Sequence, residues 1–230
     1  MKLPQPLIAG RLMRRYKRFF ADVELADGRI VTAHTPNTGA MTQCAIPGHE
    51  VLLSANNNPR RKLKFTLELI RVNGSWVDTN TQRSNRVVEE ALRADQIPEL
   101  TGYEVTPEYP FGDSRLDFLL SGEQGKALVE VKNVTLCCHE TIACFPDAVT
   151  VRGQKHLREL TTAVTCGYRA IIFFLVQRAE ATAFSPADSI DPEYGCRLRQ
   201  AVAGGVEVLA YRTLVSVTEC RLERRIPVQL

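Results

Sequence analysis

Hydrophobic positions in the first third of the chain recur in short runs without a helical period. From Leu7 to Val77 the β-prone runs are Phe19–Leu25, Arg29–Ala33, Glu50–Ser54, Lys62–Val72 and Ser75–Val77. Turn-forming clusters separate them: Asp27-Gly28, Pro36-Asn37-Thr38-Gly39, Pro47-Gly48, Asn56–Pro59 and Asn73-Gly74. That spacing predicts a small β-barrel, and a five-stranded barrel of the oligonucleotide-binding (OB) type has the right size. His34 and Asn37 fall in the loop HTPNTGAM, where polar side chains are expected to bond their own backbone.

A polar stretch, Thr79–Arg83, is the expected domain boundary, and beyond it the pattern changes. Apolar residues at 87, 88, 91 and 92 predict a helix over Ser84–Ala94, capped by Ser84 or Asn85. After Pro98 the chain is extended through Gly102–Tyr109. Two apolar runs, Leu116–Leu120 and Ala127–Val131, then flank Ser-Gly-Glu-Gln-Gly and predict a hairpin. Thr135–Pro146 reads as a loop and Thr150–Cys166 as a helix. Ala170–Val176 is a strand buried on both faces, Asp191–Ala203 a helix ending at Gly204-Gly205, and Val206–Val217 a closing strand. The expected class is α+β, a barrel over 1–80 followed by a mixed α/β sandwich over 81–230.

Composition narrows the setting. At 230 residues and 44% apolar the chain can bury one large core or two modest ones. The longest apolar run, Ala170–Val176, is less than half of a membrane span, and no signal-peptide pattern opens the sequence, so a cytoplasmic location is expected. Seven cysteines without a small-domain framework then read as reduced thiols. Cys137, Cys138, His139 and Cys144 raise the question of zinc, but no Cys-x-x-Cys occurs and small residues in a loop are the preferred account.

Charge is unevenly divided. Residues 1–80 carry twelve Lys and Arg against six Asp and Glu, while the rest of the chain has a net charge of −3. Basic and aromatic residues interleave at Arg14, Arg15, Tyr16, Lys17 and Arg18, and a second cluster includes Arg61 and Lys62. Cations that follow phosphates beside rings that stack on bases characterise nucleic-acid binders; a solvated strand with some of its rings in the core is the other reading. On the helix over 150–166, Arg152, Lys155, His156 and Glu159 cluster within two turns, a face for a phosphate or an ordinary charged surface.

The hairpin carries the chemistry. Glu130 and Lys132 project to the same side of one strand, and Asp117 interrupts the other between Leu116 and Phe118. Ionisable groups inside apolar strands must neutralise one another or hold a cation. Asp, spacer and Glu-x-Lys form the core of the PD-(D/E)xK nuclease pattern. Asp117 and Glu130 would be Mg²⁺ or Mn²⁺ ligands and Lys132 would orient a water; a structural salt bridge at a sheet edge is the alternative. Glu89 or Glu90, beside the apolar stripe of the preceding helix, could add a carboxylate, with a solvated helix face the default reading.

The stretch FPDAVTVRGQKHLREL, following RLDF and EVKNVTL, resembles the signature of the sugar fermentation stimulation protein (SfsA) family, as do RYKRFFADV, HTPNTGAM and NPRRKLKFTLEL. The resemblance covers nearly the whole chain. It implies an OB-like domain joined to a PD-(D/E)xK, restriction-endonuclease-like domain in a protein that binds DNA without sequence preference and is connected with sugar, notably maltose, utilisation. It places Asp117, Glu130 and Lys132 at the nuclease triad positions, Glu90 at the helix carboxylate that completes such a centre, and Arg115 two residues before the aspartate. The expected function is Mg²⁺-dependent phosphodiester hydrolysis on single- or double-stranded DNA, with a homodimer one possible state. The alternative is a non-catalytic DNA-binding regulator. Expected DNA contacts are Arg14, Arg15, Tyr16, Lys17, Arg18, Arg61, Lys62, Arg152 and Lys155.

Overall fold

A computed structural model describes all 230 residues. Its first six strands are β1 (Leu7–Tyr16), β2 (Phe20–Leu25), β3 (Ile30–His34), β4 (Glu50–Ala55), β5 (Phe65–Val72) and β6 (Ser75–Asp78). Antiparallel pairing runs β3-β2-β1-β4-β5, and a short parallel contact between β3 and β5 closes a five-stranded barrel around Leu12, Val23, Leu53, Leu67 and Ile70. The fifth barrel strand is therefore Leu7–Tyr16, not Ser75–Val77, which extends β5 as an appendage. β1 escapes the sequence pattern because Leu12 is its only fully buried residue and charges occupy both of its faces.

Asn80 ends the barrel and caps α1 (Thr81–Arg93) by accepting from the Gln82 amide. The helix thus begins three residues before the expected start, and Ser84 and Asn85 lie inside it. Nor is Thr79–Arg83 a free linker. Arg83, 5% exposed, donates to Asp78 at 2.7 Å and to Glu68 of β5, and Glu68 also accepts from Ser54 at 2.6 Å. A buried guanidinium shared by two buried carboxylates welds the barrel to the helix.

The second half adds β7 (Glu104–Phe111), β8 (Ser114–Gly122), β9 (Gly125–Val134), β10 (Leu136–His139), β11 (Ile142–Phe145), α2 (Val151–Thr165), β12 (Arg169–Val176), β13 (Ala183–Pro186), α3 (Pro192–Ala203), β14 (Glu207–Val215) and β15 (Cys220–Arg225). Six of these strands form a mixed sheet, β15-β14-β12-β9-β8-β7. β12 is central, parallel to both neighbours and buried on both faces, as its continuous apolar run requires. α1 covers one face, and Leu52 and Leu69 of the barrel belong to the same core as Val88, Val129 and Phe173. α2 and α3 cover the other through Leu157, Leu160 and Leu198.

Thr135–Pro146 is a hairpin, not a loop. β10 pairs with β11, which β13 joins in a small third sheet. Across it Cys138 and Cys144 form a disulfide with Cα atoms 5.7 Å apart, so five cysteines are free instead of the seven expected. No helix is long and apolar enough to cross a membrane.

Candidate active site

The β8–β9 ladder pairs Phe118 with Val129 and stops there. One step further the strands part, and the Asp117 carboxylate supplies the missing acceptor: its Oδ2 takes the Val131 amide at 2.7 Å and its Oδ1 takes Asn85 Nδ2 of α1 at 2.6 Å. On β9, Glu130 and Lys132 continue the row toward α2, and His156 of α2 closes over them. Lys132 Nζ stands 2.6 Å from Glu130 Oε1 and 3.2 Å from His156 Nδ1, and His156 Nδ1 also meets Glu130 Oε1. Both contacts take the same carboxylate oxygen. Glu130 Oε2 is left buried without a hydrogen-bond partner, in a residue only 3% exposed.

The electrostatics follow from this asymmetry. Burial pushes the Glu130 carboxyl up, but Lys132 and His156 outweigh it and hold the group below its ordinary range. Asp117 has amide partners but no direct cation partner. Burial and the nearby Glu130 charge push it up to about 7. One carboxylate is secured as an anion and its neighbour is poised to lose or hold a proton near neutrality.

Asp117, Glu130 and Lys132 form the floor of a cavity of about 330 Å³. Beside them Asn133 accepts at Oδ1 from Ser84 and Gln177, each at 2.9 Å, so its Nδ2 is buried and unpartnered. The barrel provides a roof through Asn37, Thr38 and Gly39, and residues 145–150 with Arg152 and Gly153 provide the remaining wall. Roof and wall are tied: Asp147 accepts from the Met41 amide at 2.9 Å, and a Cβ at Gly39 would stand 2.6 Å from that carboxylate. Asn37 Oδ1 accepts from the Gly39 amide at 2.8 Å, as expected of this loop.

The structure brings Asp117, Glu130 and Lys132 together and leaves Glu90 outside; Glu90 is exposed and pairs with the N-terminal ammonium at 2.5 Å. Asn85, one turn nearer the helix start, is the α1 residue that reaches the aspartate. Of the basic candidates, Arg18 and Arg152 line the cavity. Lys17 and Arg18, both at positive φ, form the exposed tip of the β1–β2 hairpin, so they do not alternate as a strand would. Arg15 is not free for phosphate: it donates to the carbonyls of Asn37 at 2.7 Å and Ala40 at 3.0 Å and so braces the roof. Arg14 pairs with Asp22 and lies over the Tyr16 ring, which stacks on Phe20. Arg61 bonds Thr66, Lys62 is exposed, and Lys155 donates to the Asp113 carbonyl at 2.8 Å. His156, placed by sequence on a basic surface, is buried at the centre; its position one turn after Arg152 on the inward side of α2 was the available signal.

Comparison with known proteins adds the lineage. Residues 13–78 match the family model described as the SfsA N-terminal OB domain, and residues 82–219 match the sugar fermentation stimulation protein RE domain. The chain is 67% identical to the sugar fermentation stimulation protein homolog of Syntrophotalea carbinolica and 56% identical to that of Citrifermentans bemidjiense, over 100% of both chains in each comparison. The solved structure of Pyrococcus furiosus SfsA in complex with Ca²⁺ superposes with a TM-score of 0.91 at 29% identity, covering 100% of both chains.

Proposed function

The chain belongs to the sugar fermentation stimulation protein family, and on that premise we propose that it binds DNA at the cavity between its two domains and hydrolyses a phosphodiester there with a divalent cation. The observation that carries this reading is the unpartnered Glu130 Oε2 beside Asp117. Two acidic groups crowd one buried spot, and one oxygen has nothing to bond. A hard cation answers both problems. Mg²⁺ and Mn²⁺ are held by one or two carboxylates with water and phosphate oxygens completing the shell, a donor set that Asp117 and Glu130 can supply. The Ca²⁺ complex of the archaeal relative supports an oxygen-ligand site in this fold.

Asp117 and Glu130 would hold the ion. When bound, it would polarise the phosphoryl oxygen and acidify a water. Lys132, fixed by Glu130, presents an ammonium to the negative charge that develops at phosphorus. His156 and Lys132 both hold Glu130 by Oε1 and leave Oε2 free, while Asn85 and the Val131 amide fix the Asp117 carboxylate. Arg18 and Arg152, on opposite sides of the opening, attract the polyanion.

The test is incubation of purified protein with linear, nicked and single-stranded DNA in Mg²⁺ or Mn²⁺, beside Lys132→Ala and an EDTA control. Cleavage is expected from the native protein and lost in both controls. No cleavage, or equal cleavage by the variant, rejects hydrolysis and leaves a DNA-binding protein with a buried ion pair.

A further inference from the structure

Two cations without a carboxylate partner line the cavity, and they are held in different ways. Arg18 belongs to the exposed hairpin tip, and its side chain bonds nothing; only its carbonyl is engaged, by Arg15. Arg152 stands on the first turn of α2 and is anchored a second time by a hydrogen bond from its Nε to His156 Nε2 at 3.4 Å. His156 is 3% exposed, so this anchor is part of the packed interior.

That hydrogen bond settles where the ring keeps its proton. A guanidinium donates and has no lone pair with which to accept. His156 Nε2 is therefore the bare nitrogen, and Nδ1 carries the N–H that meets Glu130 Oε1. Lys132 Nζ, another donor, lies 3.2 Å from the same Nδ1 and so bonds Glu130 instead of the ring. One imidazole thus stands between the floor carboxylate and the Arg152 guanidinium, bonded to each through a different nitrogen.

With Nε committed, the four N–H groups on the η nitrogens of Arg152 have no acceptor. A guanidinium is planar, so tethering Nε restricts the direction of the whole fork, and such a fork pairs with two phosphate oxygens at once. Helix stability does not account for this residue. The first turn of α2 has no acidic side chain and carries Arg152 where the helix dipole opposes a cation. An anion in the cavity removes that conflict.

Resting on the reading that the cavity receives a phosphodiester, we propose that Arg152 grips the two non-bridging oxygens of that group with its η nitrogens, and that His156 is the positioning residue that aims the fork. Arg18 supplies charge without geometry. Recognition at Arg152 is of a pair of oxygens at fixed separation, which an ammonium in its place does not reproduce.

Fluorescence anisotropy in EDTA, where no cleavage occurs, compares a labelled oligonucleotide on the native protein, Arg152→Lys, Arg152→Ala and Arg18→Lys. Lysine keeps the charge and loses the fork, so Arg152→Lys is expected to weaken binding about fivefold or more while Arg18→Lys stays within about twofold of native. In a His156→Phe background, which keeps a ring without its nitrogens, the Arg152→Lys change should cost less than about twofold. In His156→Gln, whose amide oxygen can accept in place of Nε2, the Arg152→Lys effect should persist. Circular dichroism checks the fold of each variant. The fork is overturned if Arg152→Lys binds like the native protein, if Arg18→Lys is equally damaging, or if the native protein does not bind. A full effect in His156→Phe, or its loss in His156→Gln, overturns the positioning role of His156. Cleavage in Mn²⁺ separates this proposal from hydrolysis. Absence of Lys132-dependent cleavage defeats hydrolysis while anisotropy still decides the fork; Lys132-dependent cleavage with an unchanged KM in Arg152→Lys defeats the fork alone.

Discussion

Replacing Asp117 by Asn isolates the electrostatic tension at the cavity floor. In the metal-free protein the Asp117 carboxyl titrates at about 7, against about 3.9 in an unfolded chain. Between those values the folded state holds a proton that the unfolded state has released, so this group's contribution lowers stability as pH rises from about 4 to 7. Three units at 1.36 kcal/mol each put the full penalty at about 4 kcal/mol above pH 7 and at almost nothing below pH 4. Asparagine removes the charge at every pH. It also leaves one of two donors, Asn85 Nδ2 or the Val131 amide, facing an NH₂ group, at about 1–3 kcal/mol. Urea denaturation in EDTA should therefore find Asp117→Asn less stable than the native protein at pH 4 and more stable at pH 8, the difference moving by about 4 kcal/mol between them. Titrations common to both proteins cancel in the difference. A variant destabilised by the same amount at both pH values would show that Asp117 ionises normally and that no crowding exists.

Further outcomes follow from the same geometry. Mn²⁺ at a hundred times its dissociation constant should raise the midpoint of thermal unfolding by about 5–10 °C at pH 8, with no rise in Glu130→Gln; equal shifts place the ion elsewhere. His156→Ala frees Glu130 to rotate, and calorimetric titration should show Mn²⁺ affinity about 10–100-fold weaker, partly restored in His156→Gln. Arg83→Ala strands two buried carboxylates and should cost roughly 3–5 kcal/mol in urea denaturation; a loss within error would mean the weld is ornamental. Gly39→Ala drives a methyl group toward the Asp147 carboxylate. It should cost about 1–3 kcal/mol and slow any cavity-dependent reaction, whereas unchanged unfolding would show that the roof has slack.

Much of this was legible because charge stands out against apolar strands. Asp117, Glu130 and Lys132 interrupt hydrophobic runs, and period-two geometry alone put two of them on one side of β9. The helices α2 and α3 were visible in outline, because the expected spans begin at Thr150 and Asp191, the two residues that the structure shows to be their caps. What stayed hidden depends on contacts distant in sequence. Nothing local says that Arg15 turns inward to hold Asn37, that Asp147 meets a barrel amide 106 positions away, or that His156 faces Glu130 and not water. Glu90 and Asn85 sit on the same helix, and only its docking angle decides which one reaches Asp117. β1 was obscured for a related reason: a strand with one buried side chain leaves almost no hydrophobic signal.

The buried guanidinium of Arg83, together with Leu52 and Leu69 lodged in the core of the other half, makes the molecule indivisible. Cut after residue 80, either piece would expose apolar surface or an orphaned charge that water tolerates poorly. The expected melting profile is a single cooperative step, and ancestry could vary the surfaces of the two parts freely but could not exchange one part without redesigning the seam.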